Sequence, residues 1–113
     1  MPNMHFYTNL SLDKATKDEI KAAFAEAIAI IPGKSEKWLM VIIEDETSMY
    51  LGGSDAPCAM VSVELLGSAD GETYEKVTAA VTAKLAKLLP LSPDRIYTKY
   101  SEYRHWGFNG EHF

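Results

Sequence analysis

The sequence predicts an α/β domain made of duplicated βαβ units, a four-stranded mixed sheet carrying two helices on one face. Three observations predict it. Apolar residues recur at helical spacing in two stretches, Ile20 to Ile31 and Tyr74 to Leu88. A β-type run lies on either side of each stretch: Asn3 to Thr8 and Trp38 to Ile43 around the first, Ala59 to Leu66 and Arg95 to Tyr103 around the second. Laying residue n over residue n+58 also sets Pro32 on Pro90, Glu36 on Asp94, Lys37 on Arg95 and Trp38 on Ile96. The 113 residues are expected to form a single domain, 1–113, with pseudo-repeat halves at about 1–57 and 58–113.

In chain order, the first strand opens at Pro2, a residue tolerated there because it need not donate to a ladder. Two helix starts follow, Ser11-Leu12-Asp13 and the capping box Thr16-x-x-Glu19. Ile20, Ala23, Phe24, Ala27, Ile28 and Ile31 then give one buried face, and Pro32-Gly33 ends the helix. Trp38 to Ile43 is almost unbroken apolar sequence, the mark of a strand covered on both faces. Gly52-Gly53-Ser54-Asp55 makes a turn, and Ala59 to Leu66 alternates Ala59, Val61, Val63, Leu65 against Met60, Ser62, Glu64, Leu66. Ser68 to Gly71 caps the second helix and Pro90 closes it. Arg95 to Tyr103 is the fourth strand, with Trp106-Gly107-Phe108 a short last one.

Right-handed crossovers put both helices on one side of the sheet. The other side has no cover within the chain, although Trp38 to Ile43 calls for it, so a homo-oligomer with sheet facing sheet is expected.

Composition excludes several classes. Eleven basic against sixteen acidic residues give a net charge of −5, with no basic patch for nucleic acid. No run approaches the roughly 20 apolar residues of a membrane span, and the N-terminus lacks a secretory signal, so a cytoplasmic protein is expected, or one secreted by a non-classical route. Cys58 is the lone cysteine, and His5, His105 and His112 lack helical i, i+4 spacing, so neither an internal disulfide nor a metal site is expected.

The chemistry-bearing residue is Pro2. If the initiator methionine is removed, the chain begins with a secondary amine whose lone pair no carbonyl delocalises. An apolar setting beside another cation would penalise the ammonium and leave a neutral base at working pH. His5 falls on the strand face opposite Pro2 and reads as structural.

Several separated motifs now join this terminus: Thr8-Asn9, Gly33-Lys34, Gly52-Gly53-Ser54 with Pro57-Cys58-Ala59, Ser92 to Tyr97, and Trp106-Gly107-Phe108-Asn109-Gly110. Together they resemble the macrophage migration inhibitory factor (MIF) family of the tautomerase superfamily, over nearly the whole chain. The resemblance implies the tautomerase/MIF fold, a homotrimer with sheets facing inward, and three sites between subunits. It implies a cofactor-independent keto–enol tautomerase acting on small aromatic 2-oxo acids such as phenylpyruvate, with dopachrome as a related substrate. Pro2 would be the catalytic base and acid. Lys34 would bind the substrate carboxylate and lower the Pro2 pKa, Leu66 would contribute its backbone N–H, and Tyr97 would arrive from a neighbouring subunit. Trp106 and Phe108 would wall an aromatic pocket, with Trp38 at its rim.

Departures from the family pattern concern specificity. Lys99 stands where better-known members carry Asn, Phe108 where mammalian members carry Trp, and Trp106 in place of a smaller aliphatic residue. Val61 stands where mammalian members complete a Cys-x-x-Cys with Cys58, so thiol–disulfide exchange lacks its resolving thiol. Two further readings are a MIF-like cytokine or host-modulating binding protein, acting on a receptor if secreted, with vestigial catalysis, and hydration or dehalogenation of unsaturated acids. With Arg95 and Arg104 its only arginines, the chain is poorly equipped for the last.

Overall fold

The computed structural model describes all 113 residues. Its main elements are β1 (Pro2–Thr8), α1 (Lys14–Ile28), β2 (Met40–Glu44), β3 (Ala59–Leu66), α2 (Gly71–Leu88), β4 (Ile96–Tyr103) and a terminal hairpin of β5 (Gly107–Phe108) and β6 (Glu111–His112). The sheet order is β2-β1-β3-β4. β2 lies parallel to β1 and β4 parallel to β3, while β1 and β3 run antiparallel through the middle. The duplicated βαβ reading is therefore the observed architecture.

Alternation decides which residues enter the core. Pro2, Met4, Phe6 and Thr8 of β1 and Ala59, Val61, Val63 and Leu65 of β3 face the helices and are buried. Ile20, Phe24, Ala27 and Ile28 of α1, with Val77, Val81 and Leu85 of α2, close over them. Phe6 and Phe24 meet edge to face, ring centroids 5.9 Å apart.

The helices begin alike. Asp13 and Asp70 each precede the first helical residue, and each carboxylate accepts the N–H three residues on, from Thr16 and Thr73, at 2.8 Å. Of the two starts offered by the sequence, the aspartate is used, and Thr16 is the residue it caps. α1 ends at Ile28, yet Ile31 stays buried because Ile30 and Ile31 continue with hydrogen bonds to the carbonyls three residues back.

The apolar run at Trp38 divides. Trp38 lies in a 3-10 turn at Glu36–Trp38, and the strand begins at Met40. Val41 and Ile43 pack against the core, whereas Met40 is 63% and Ile42 36% exposed on the open face. Within one chain this strand is covered on one face only, in contrast to the two-sided cover its hydrophobicity suggests.

Arg95 organises the long connection between β2 and β3. Its guanidinium donates to the carbonyls of Leu51 (2.7 Å), Ser54 (3.0 Å), Ala56 (2.8 Å) and Pro57 (3.3 Å). Leu51 and Ser54 exchange backbone hydrogen bonds around Gly52 and Gly53, both at positive φ. Arg95→Ala is expected to lower stability by about 1–3 kcal/mol, the scale of charge-assisted hydrogen bonds, and to hasten proteolysis between Glu46 and Pro57. Urea denaturation and timed digestion check this; unchanged curves would assign the loop's order elsewhere.

Candidate functional site

The β1–β3 ladder places the N-terminus. Pro2 pairs with Leu65, and one step further the Leu66 N–H donates to the Met1 carbonyl at 3.1 Å. From the other side, Gly33 at φ +80 turns the chain after α1, with Lys34 N–H bonded to the Ile31 carbonyl. The Lys34 ammonium then donates to the Leu66 carbonyl at 2.8 Å. Pro2, Lys34 and Leu66 are thus brought together from three separate segments.

The electrostatic result is visible at the terminal amine. Burial first, then the Lys34 charge and its hydrogen bond, hold the Met1 amine below the ordinary α-amino range. In this chain Pro2 nitrogen is part of the Met1-Pro2 amide. Removal of Met1 would turn it into an amine and would vacate the Leu66 N–H.

Beside this terminus lies a recess of about 640 Å³, lined by Met1, Pro2, Asn3, Lys37, Trp38, Leu39, Met40, Ile42, Glu64, Trp106 and Phe108. Trp38 meets Phe108 edge to face at 5.3 Å, and Trp106 meets Tyr103 similarly at 5.8 Å. The aromatic wall therefore forms from a turn and the terminal hairpin, far apart in sequence. Lys37 holds its ammonium 5.0 Å from the Trp38 ring centroid.

Tyr97 and Lys99 lie elsewhere. Tyr97 is 55% exposed and pairs in register with Met60, five positions along β3 from the Leu65 that faces Pro2. At 3.3 Å per residue that is about 17 Å, so Tyr97 does not meet Pro2 within one chain. It lines a small apolar hollow with Met49, Tyr50, Leu51, Cys58, Ala59 and Met60. Lys99 is exposed opposite Ser62, where its charge acts on Glu64.

The open face carries a polar cluster around Glu64 that sequence reasoning missed, beside the structural His5 that it foresaw. Glu64 accepts from the Asn3 amide at 2.8 Å and the Tyr103 hydroxyl at 2.6 Å. His5 pairs with Glu44 at 2.5 Å and with Tyr7 at 3.1 Å, on the side away from Pro2 as alternation requires. Strand register was the available signal, since Asn3 sits opposite Glu64.

Tyr103, then Asn3, hold the Glu64 carboxyl below its usual range. A depressed pKa stabilises the fold fully above the unfolded value of about 4.3 and loses that contribution as pH falls through the folded value. Tyr103→Phe should move the Glu64 midpoint upward and narrow that window, as read by carbon NMR of the carboxyl. An unmoved midpoint would deny the phenol its role.

The sequence matches the family model described as Macrophage migration inhibitory factor (MIF) over residues 1–113. A solved structure of Leishmania major MIF2 superposes with a TM-score of 0.93 at 30% identity, covering 100% of this chain and 97% of that one. The macrophage migration inhibitory factor of Meriones unguiculatus is 27% identical over 111 residues, 96% of each chain. D-dopachrome decarboxylase-B of Xenopus laevis is 29% identical over 113 residues, 97% of this chain and 95% of its own.

Proposed function

We propose, from the premise that the chain belongs to the macrophage migration inhibitory factor family, that its tautomerase-type function is cofactor-independent keto–enol isomerisation of a small aromatic 2-oxo acid, with Pro2 as base and acid. The observation that carries this is the meeting of Pro2, the Lys34 ammonium and the Leu66 main chain beside an aromatic-walled recess.

After Met1 is removed, the neutral Pro2 amine would take a proton from one end of the keto–enol system and return it at the other. No electron acceptor is needed, because the proton and the double bond move within one molecule. Lys34 and the freed Leu66 N–H would hold the substrate carboxylate. Burial and the charge of Lys34 would also lower the pKa of the Pro2 amine, the direction in which they already move the Met1 amine. Trp38, Trp106 and Phe108 would receive the ring, and Lys99 would tune the charge around the site.

The separation of Tyr97 from Pro2 favours a site shared between chains, and the exposed Met40 and Ile42 favour a covered open face. A homotrimer supplies both, Tyr97 of one subunit completing its neighbour's site. Static light scattering should return the mass of three chains; a monomer at micromolar concentration would remove the shared site.

The chemical test compares mass-verified, Met-trimmed parent, Pro2→Gly and Lys34→Ala in phenylpyruvate enol–keto conversion. Pro2→Gly should lose roughly 10²-fold or more in kcat/KM, the scale of a general base. Lys34→Ala should raise KM more than it lowers kcat, and should move the rise of kcat/KM with pH to higher pH. Full activity in Pro2→Gly would sink the mechanism, and an unchanged KM in Lys34→Ala would place the carboxylate elsewhere. Parent turnover no faster than buffer would instead favour the reading that the chain is a cytokine-like or host-modulating binding protein.

A further inference from the structure

The terminal hairpin carries two histidines that the sites above do not use. Asn109 and Gly110, both at positive φ, form its turn, and Trp106 and Phe113 exchange backbone hydrogen bonds of 3.1 and 2.8 Å at its open end. This register sets His112 opposite Gly107 and makes His105 its diagonal neighbour. Gly107 has no side chain to separate them. The rings lie 4.9 Å apart at 27°, and His105 Nδ1 and His112 Nε2 share a hydrogen bond of 2.9 Å. Both residues are exposed.

We infer that His105 and His112 form a bidentate site for a divalent transition-metal ion of borderline softness, copper(II) before nickel(II) or zinc(II). Two nitrogens 2.9 Å apart, with metal–nitrogen bonds of about 2.0–2.1 Å, subtend about 90° at the metal. That is the angle between adjacent ligands of a tetragonal ion; tetrahedral zinc wants its nitrogens further apart. Binding gives up the hydrogen bond between the rings, and each exposed ring turns to aim its lone pair at the ion, which lies to one side of the line joining the two nitrogens. The donating imidazole moves its proton to its other nitrogen, so both rings bind as neutral ligands. No third His, Cys, Asp or Glu joins the pair, which leaves the remaining positions to water or an outside ligand.

Alternation gives the site a second consequence. His105 and Gly107 point to one side of the hairpin strand, and Trp106 and Phe108 to the other, where they line the recess. A bound ion would clasp the two strands from behind the aromatic wall without entering it. Helical spacing rules cannot detect a pair seven residues apart that is made by a turn.

The experiment titrates copper(II) into the full-length, Met-trimmed chain in a non-coordinating buffer, by calorimetry and electron paramagnetic resonance. The parent should bind one tight equivalent per chain with a tetragonal spectrum showing two nitrogen ligands from imidazole. His105→Asn and His112→Asn should each weaken that binding at least tenfold, and His5→Asn should leave it unchanged. Circular dichroism checks that the variants fold, which the exposure of both side chains makes the expected result. Tight binding retained in both hairpin variants, or lost in His5→Asn, would assign the copper to the N-terminal region and overturn the proposal.

Discussion

The structure depends on the antiparallel pairing of β1 with β3, from Pro2 opposite Leu65 to Thr8 opposite Ala59. Each half-repeat closes a parallel pair of its own, and this ladder alone fuses them into one sheet. Its alternation sends Met4, Phe6, Val61, Val63 and Leu65 into a common core beneath two helices. A one-residue slip of β1 against β3 would turn Met4 and Phe6 outward and place His5 in the core, so the register is strongly defined. Because β1 runs through the middle of the sheet, the chain terminus is held in place by neighbours on both sides.

Polar chemistry gathers where this ladder meets other segments. Lys34 arrives through a glycine turn after the first helix, Glu64 through the third strand, and the aromatic wall through the terminal hairpin. Arg95 plays a comparable part at the opposite end of the sheet, where one guanidinium ties down four carbonyls of the longest connection. Nε and both terminal nitrogens of Arg95 are thereby engaged by the backbone.

Much of the fold was legible in periodicity. The buried faces of both helices, the alternation of Ala59 to Leu66 and the repeat marked by Pro32 and Pro90 all survive in three dimensions. The glycine turn that presents Lys34 was readable as well, because a positive φ at Gly33 is a local property. Less legible were the strand start at Met40 and the exposed placing of Trp38, where apolar composition cannot tell a strand from the turn leading into it. The contacts that lie deepest beyond sequence are those created by register: Asn3 with Glu64, and His105 with His112. Family resemblance named Pro2, Lys34, Leu66 and Tyr97 together, yet one chain unites only the first three.

The bond from Leu66 N–H to the Met1 carbonyl has a practical bearing. Met1, ahead of Pro2, carries one further hydrogen bond past the start of β1 while Pro2 stays buried. In a preparation with an amino-terminal affinity tag, the chain would extend from that same point and leave the β1–β3 ladder paired. In the proposed chemistry that preparation would be catalytically silent, its proline nitrogen locked in an amide. Purification handles therefore belong at the other end of the chain, or on a leader whose protease leaves Pro2 first.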